Sequence, residues 1–227
     1  MIDNSEDLRR WRLPRGRHGL PRELVERSQR ERLLAAVVRV TVAKGYESAT
    51  VGDILGEAGV GRESFYELFD DKLDCILAAH KILVDDLEQQ VREAYTSPGP
   101  WPERVREALA ATLAWFAADP GAARFTIVEL STVGPAFRPI FQAEYARFTR
   151  LLEDGIGDED PNPDLRGAAG LAVGAMLARI YEEIVLERTA ELPRLLPDLT
   201  YELLVPFVGE AEAREEQLRA APNPSPG

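Results

Sequence analysis

Between Thr50 and Leu73 the chain reads TVGDILGEAGVGRESFYELFDDKL, and this stretch leaves little choice of local structure. The Thr50 hydroxyl can accept from the N–H groups that open a helix, and Asp53, three residues on, is a short-armed capping-box acid. Val51, Ile54, Leu55 and Ala58 then recur at helical spacing. Gly59-Val60-Gly61 supplies a stop, an apolar plug and a second start. Arg62 to Leu68 adds about two turns. Phe65, Leu68 and Phe69 face inward on that spacing, and Arg62, Glu63 and Tyr66 face away. Two short helices joined by a glycine-containing turn of about three residues form a helix-turn-helix. Its second helix is short and polar on one side, as reading a major groove requires.

A net charge of −12 looks wrong for a nucleic-acid binder, but its distribution does not. Residues 8–22 hold six arginines and no acid. Across 8–80 there are 13 Lys/Arg and 11 Asp/Glu, a balance of +2; residues 1–7 carry −3, so the remainder carries −11. Only the N-terminal third has a positive face to offer phosphates. Arg15 and Arg17 are the arm residues expected on DNA, although a solvated tail has the same composition.

The chain divides into a basic arm over 1–22, a helix-turn-helix domain over 23–72, a helical domain over 73–209 and a tail over 210–227 expected to be disordered. Helices are expected at Leu24–Lys44, over the two short segments, and from Lys72 to Tyr95. Ser97 to Pro102 is a hard break. Further helices are expected at Glu103–Ala118, Ala122–Thr132, Pro135–Asp154, Leu165–Arg188 and Leu192–Gly209. No strand alternation stands out, so the fold class is all-α with about nine helices. The longest apolar run, Gly167 to Ala178, is too short to cross a bilayer, and no secretory signal is visible. The single Cys75 excludes an intramolecular disulfide and fits a reducing cytosol, so a cytoplasmic protein is expected.

Residues 28–80 resemble the DNA-binding domain of the TetR family of bacterial transcriptional regulators. The matching pieces are Gly45-Tyr46, Thr50, Ala58-Gly59-Val60, Ser64-Phe65-Tyr66 and Phe69-Asp70-Asp71-Lys72. Each is weak alone and specific as an ordered set. The resemblance implies a homodimer on a palindromic double-stranded DNA operator, acting as a repressor and released when a small molecule enters the C-terminal domain. Two residues depart from the pattern. Gly61 stands where a capping Ser is common, and Glu63 where a small residue is common. An acid facing DNA costs phosphate affinity but can accept from cytosine N4.

The expected DNA contacts are therefore Arg62, through bidentate bonds to guanine, together with Gly61, Glu63, Ser64, Tyr66, Thr50 and Lys72. Lys72 opens a helix against the dipole preference, which suggests a phosphate partner. In the C-terminal domain Trp115, Phe116, Phe125, Phe137, Phe141, Tyr145, Phe148 and Met176 are either plain helical core or the wall of a largely apolar effector pocket, with Glu129 and Thr132 either its polar fixtures or engaged in surface or interhelical pairing. Gly167, Gly170, Gly174 and Ala178 lie near one helix face and suit either a subunit interface or close packing within one chain.

Catalytic and metal signals are poor, and no cofactor is expected. His18 and His80 are the only histidines. Gly56-x4-Gly61-Arg62-Glu63 lacks the Lys-Ser/Thr of a phosphate loop and follows a helix. Asp158-x-Asp160-x-Asn162 opens like a calcium loop, but Pro163 occupies the glycine position. The alternative to a regulator is an all-α small-molecule binding or catalytic protein whose helix-turn-helix does not bind DNA. The arginine arm beside the polar helix face argues against it.

Overall fold

The computed structural model describes residues 21–154 and 163–221; the arm with Arg15 and Arg17, the acidic loop at 155–162 and residues 222–227 lie outside the described residues. All regular structure among the described residues is helical. The helices are α1 (Arg22–Lys44), α2 (Val51–Ala58), α3 (Arg62–Leu68), α4 (Lys72–Tyr95), α5 (Trp101–Ala118), α6 (Pro120–Ala123), α7 (Arg138–Glu153), α8 (Pro163–Val185) and α9 (Leu196–Ala220).

The chain forms two compact units. The first holds residues up to Asp85 and also Gly121–Val133. The sequence reading placed the boundary at residue 72. The unit runs further because Cys75, Ile76 and Ala79, on the first half of α4, are buried. In this unit α1 packs on α2 and α3 and presents Leu33, Leu34, Val37 and Val40 to the core. It stops at Gly45, whose φ of 78° lies in the left-handed region.

The stretch expected to be one regular helix, Ala122–Thr132, is irregular. After α6 the backbone passes into a π-helical stretch, Arg124–Glu129, and then a 3-10 turn, Leu130–Thr132. Hydroxyls back-bond to carbonyls throughout this irregular run. Thr126 Oγ1 donates to the Ala122 carbonyl at 2.8 Å, Ser131 Oγ to that of Val128 at 2.6 Å, and Thr132 Oγ1 to that of Glu129 at 2.6 Å. The π segment packs on α1.

The second unit holds Asp86–Pro120 and the chain from Gly134 onward. Here α5 packs on α9 and on a 3-10 turn, Thr189–Leu195, while α8 packs on α7 and α9. The expectation of a disordered tail from residue 210 is corrected. Helix continues to Ala220, across one non-helical residue, Gly209, at φ 78° and ψ 171°. Beyond that kink the chain doubles back. The Arg214 guanidinium lies 4.7 Å from the Tyr201 ring, and Gln217 Nε2 donates to Asp198 Oδ1 at 3.1 Å. Glu216, 2% exposed, bonds to Arg106 Nε at 2.9 Å. The tail composition looked unable to bury enough surface to order itself, but Ala213 and Glu216 are buried. Glu216 is anchored by a cation 110 residues away in sequence.

Candidate nucleic-acid interface and effector cavity

The helix-turn-helix is built from its caps inward. Thr50 Oγ1 accepts from Asp53 N at 3.2 Å, and Asp53 Oδ2 accepts from Thr50 N at 3.0 Å, so the capping box is closed in both directions. Lys44 Nζ reaches Asp53 Oδ1 at 2.5 Å. Lys44 and then Thr50 hold the Asp53 carboxyl down at about 2. Helix α2 ends on Gly59 in the left-handed conformation, φ 62° and ψ 39°. Val60 is buried as the plug, and α3 begins after Gly61 with no side-chain cap.

Phe65 anchors α3. Its ring is fully buried, 5.6 Å from Phe69 and 5.3 Å from Tyr66, and the Arg30 guanidinium covers Phe69 at 4.9 Å. Leu68, read from the sequence as core, is only half-buried. The opposite face of α3 is open: Arg62, Glu63, Tyr66 and Glu67 are exposed, Tyr66 at 49%. Arg62 lies 5.7 Å from the Tyr66 ring, which keeps both on one side of the helix. Ser64 Oγ, half-buried, accepts from Gln29 Nε2 of α1 at 3.3 Å and so braces α3.

Two expected phosphate contacts are otherwise engaged. Lys72 Nζ donates to the carbonyls of Tyr46 at 2.6 Å and Ala49 at 2.8 Å, and stands 4.3 Å from the Tyr46 ring. Its charge staples the turn between α1 and α2, which also accounts for a cation at a helix start. The Thr50 hydroxyl donates to Asp53 Oδ2 at 2.7 Å, so its only side-chain proton is spent inside the cap. Glu67 was missed. It is the i+4 neighbour of Glu63, a spacing that puts two acids on the open face. Glu26 raises the pKa of the Arg22 guanidinium, with a further contribution from Glu67 on α3.

The aromatic set expected to line one effector pocket is dispersed. Phe125 and Glu129 are buried in the first unit, where Glu129 pairs with Arg124 at 3.2 Å. Trp115 is buried and its indole N–H donates to Asp86 Oδ2 at 2.6 Å. Phe141 is 47% exposed. Tyr145 donates its hydroxyl proton to the Gly170 carbonyl. That hydroxyl would lie 3.6 Å from a Cβ at Gly170 and 3.4 Å from one at Gly174, so these glycines make room for Tyr145 of the same chain. A small cavity of about 40 Å³ does exist in the second unit, and of the expected residues Phe148 and Met176 line it. Its other walls include Val91, Val105, Leu109 and Val173. Among the described residues, no group of three or more His, Cys, Asp or Glu side chains is placed to hold a metal ion. No described helix is long and apolar enough to cross a membrane.

Residues 33–79 match the model of bacterial regulatory proteins of the tetR family, and they span the capping box, the glycine turn and α3. The match makes this stretch similar to the DNA-binding domain of that family. Among curated relatives, the HTH-type transcriptional activator FasR of Mycolicibacterium smegmatis is 29% identical over 144 residues, covering 63% of this chain and 59% of FasR. The transcriptional regulator CymR of Pseudomonas putida is 26% identical over 123 residues, covering 54% of this chain and 61% of CymR. The match thus spans less than two thirds of either relative. Two solved structures share the fold over more of the chain. The fatty acid degradation regulator FadR of Bacillus halodurans superposes with a TM-score of 0.69 at 18% identity, covering 81% of this chain and 96% of that one. FadR of Bacillus subtilis, in complex with stearoyl-CoA, gives 0.65 at 19% identity, covering 79% and 98%.

Proposed function

We propose that this protein is a homodimeric transcriptional regulator that binds a palindromic operator and represses until a largely apolar small molecule releases it. The observation that carries the reading is α3: a seven-residue helix anchored by a fully buried Phe65 and holding Arg62, Glu63, Tyr66 and Glu67 out to solvent. That exposure supports a reading helix on which Arg62 would bond guanine and Glu63 would accept from cytosine N4. The arginines at 9–22 supply phosphate affinity that α3, with two exposed acids, lacks.

A second copy fits the exposed face of α8. Leu171 is 78% exposed, and Gly167, Ala175, Ala178, Tyr181 and Val185 are exposed with it at helical spacing. This face, rather than Gly170 and Gly174, is the proposed two-fold contact. A dimer is needed to set two α3 helices about 34–36 Å apart on successive major grooves. The apolar cavity is the proposed effector site, and the stearoyl-CoA complex of Bacillus subtilis FadR supports an effector with a long apolar part. Such a ligand acts only through a difference in affinity between DNA-competent and released forms.

The test is a gel shift on DNA flanking the protein's own gene, across a salt series. Wild type is expected to bind a discrete site with steep salt dependence, and Arg62→Ala to lose about ten-fold or more. Sequence-blind binding that survives Arg62→Ala would overturn the regulator reading in favour of a small-molecule binding or catalytic protein. Sedimentation of Leu171→Glu is expected to show monomers; an unchanged dimer removes α8 as the contact.

A further inference from the structure

The exposed face of α3 holds an aromatic ring against its first cation. Arg62 opens the helix, and Tyr66 stands one turn on, at i+4. A long helical side chain leans back toward the N-terminus over the preceding turn, which brings the Tyr66 ring to Arg62. The guanidinium carbon lies 5.7 Å from the ring centroid, within cation–π range. Glu63 and Glu67 are exposed on the same short helix, yet no carboxylate among the described residues lies within ion-pair distance of Arg62. A guanidinium takes an aromatic ring on its flat face and hydrogen bonds in its plane, so a ring-bound Arg62 keeps its fork of N–H groups for a base edge.

Tyr66 is itself held. Its ring meets that of Phe65 edge-on, at 5.3 Å and 85°. Phe65 is fully buried and lies 5.6 Å from Phe69, and Arg30 of α1 covers Phe69 at 4.9 Å. Three rings thus run from the core of the head to its surface, with a guanidinium at each end. The fold engages the Tyr66 ring, while the hydroxyl bonds to no protein group among the described residues.

We infer that Tyr66 is a positioning residue: its ring holds Arg62 for a guanine, and its hydroxyl is dispensable. This rests on the reading of α3 as the helix that enters the major groove. An arginine fixed on a base edge loses rotamer freedom, and a ring that already limits the side chain lowers that loss. The gain falls on the base that Arg62 reads, because phosphate contacts carry no sequence information directly. Tyr66 therefore sets discrimination at one base pair rather than overall affinity. This differs from a direct DNA contact, the role its place on the open face suggests.

The experiment titrates the full-length protein onto the operator found by gel shift, following fluorescence anisotropy across a salt series. Each guanine of the site is replaced in turn, and the base pair read by Arg62 is the one at which Arg62→Ala no longer discriminates. Tyr66→Phe keeps the ring and should match wild type in affinity, discrimination and salt slope. Tyr66→Leu should lose about two- to five-fold in discrimination at that base pair, with the salt slope and the affinity for a scrambled duplex unchanged. Discrimination is a ratio of two affinities of one variant, so a loss of stability cancels from it. In an Arg62→Ala background the Leu substitution should cost nothing further there. Equal losses in Tyr66→Phe and Tyr66→Leu, with a salt slope shallower by about one, would make the hydroxyl a phosphate contact and overturn the inference. A Tyr66→Leu loss that is the same with or without Arg62, or that falls on another base pair, overturns it equally. So does an operator on which Arg62→Ala discriminates as wild type does at every guanine. Each of these outcomes leaves the regulator reading standing, whereas wild type that binds DNA without regard to sequence removes that reading and the role of Tyr66 with it.

Discussion

Gly59 and Gly209 both interrupt helix with φ in the left-handed half of the map, yet they belong to two kinds of architecture. At Gly59 the backbone is at φ 62° and ψ 39°, the common left-handed cap. Everything that secures it lies close in sequence: the Leu55 carbonyl that accepts from its N–H, the Val60 plug and the Thr50–Asp53 box. At Gly209 the backbone is at φ 78° and ψ 171°, a region essentially confined to glycine. What secures it is distant. Arg106 on α5 holds Glu216 on the returning limb, and Tyr201 and Asp198 hold Arg214 and Gln217. The reading head is specified by local chemistry and the bundle by partners brought together only on folding.

This contrast can be broken most forcefully at the core of the head. Phe65→Ala should cost about 3–5 kcal/mol, because a fully buried ring leaves a cavity beneath α3. Denaturant unfolding should show the loss together with the disappearance of DNA binding. Next comes Glu216→Ala. It strips the buried partner from Arg106, whose side chain is only 14% exposed, and should cost about 3 kcal/mol. An unchanged unfolding midpoint would mean that the returning limb is a surface ornament, and the contrast would fail.

The two glycines sharpen the comparison directly. Gly209→Ala should cost about 1–3 kcal/mol, and Gly59→Ala about 1–2 kcal/mol. Asparagine should rescue Gly59, whose conformation it tolerates, and not Gly209. Equal tolerance of Asn at both sites in thermal unfolding would erase the distinction. Thr50→Ala should cost about 1 kcal/mol by opening the capping box.

The smallest effect is a pH dependence. Asp53 in the folded protein titrates near 2, below its ordinary 3.8, because Lys44 and then Thr50 stabilise the carboxylate. A lowered carboxyl pKa adds stability above the ordinary value and loses it as pH falls toward the folded value. Stability should therefore decline as pH falls from about 4 to about 2. Asp53→Asn should flatten that decline when unfolding is followed at each pH.

Much of the head was legible in the sequence because its signals act within a few residues. The box, the glycine turn and the inward Phe65 follow from spacing alone. Lys72 was legible as an anomaly, a cation at a helix start, but not as a staple. The carbonyls of Tyr46 and Ala49 become its partners only when α4 returns to the α1–α2 turn. The proposed effector cavity was less legible, since an aromatic count does not say which faces converge. Phe125 and Trp115 went into packing and Phe141 to the surface, and the cavity formed instead around aliphatic residues with Phe148, Tyr95 and Met176.

By itself the sequence determined an all-α chain, a helix-turn-helix over Thr50–Leu73 and a cationic N-terminal arm, because caps, helical period and charge are properties of near neighbours. Only the tertiary structure decided that residues 121–133 pack with the head and that residues 210–220 fold back as a helical limb. It also decided that Gly170 and Gly174 accommodate Tyr145, and that the Arg104 guanidinium stands over the Tyr95 ring. Each of these turns on which side chains meet across long sequence separations, and periodicity along one helix carries no record of its partners.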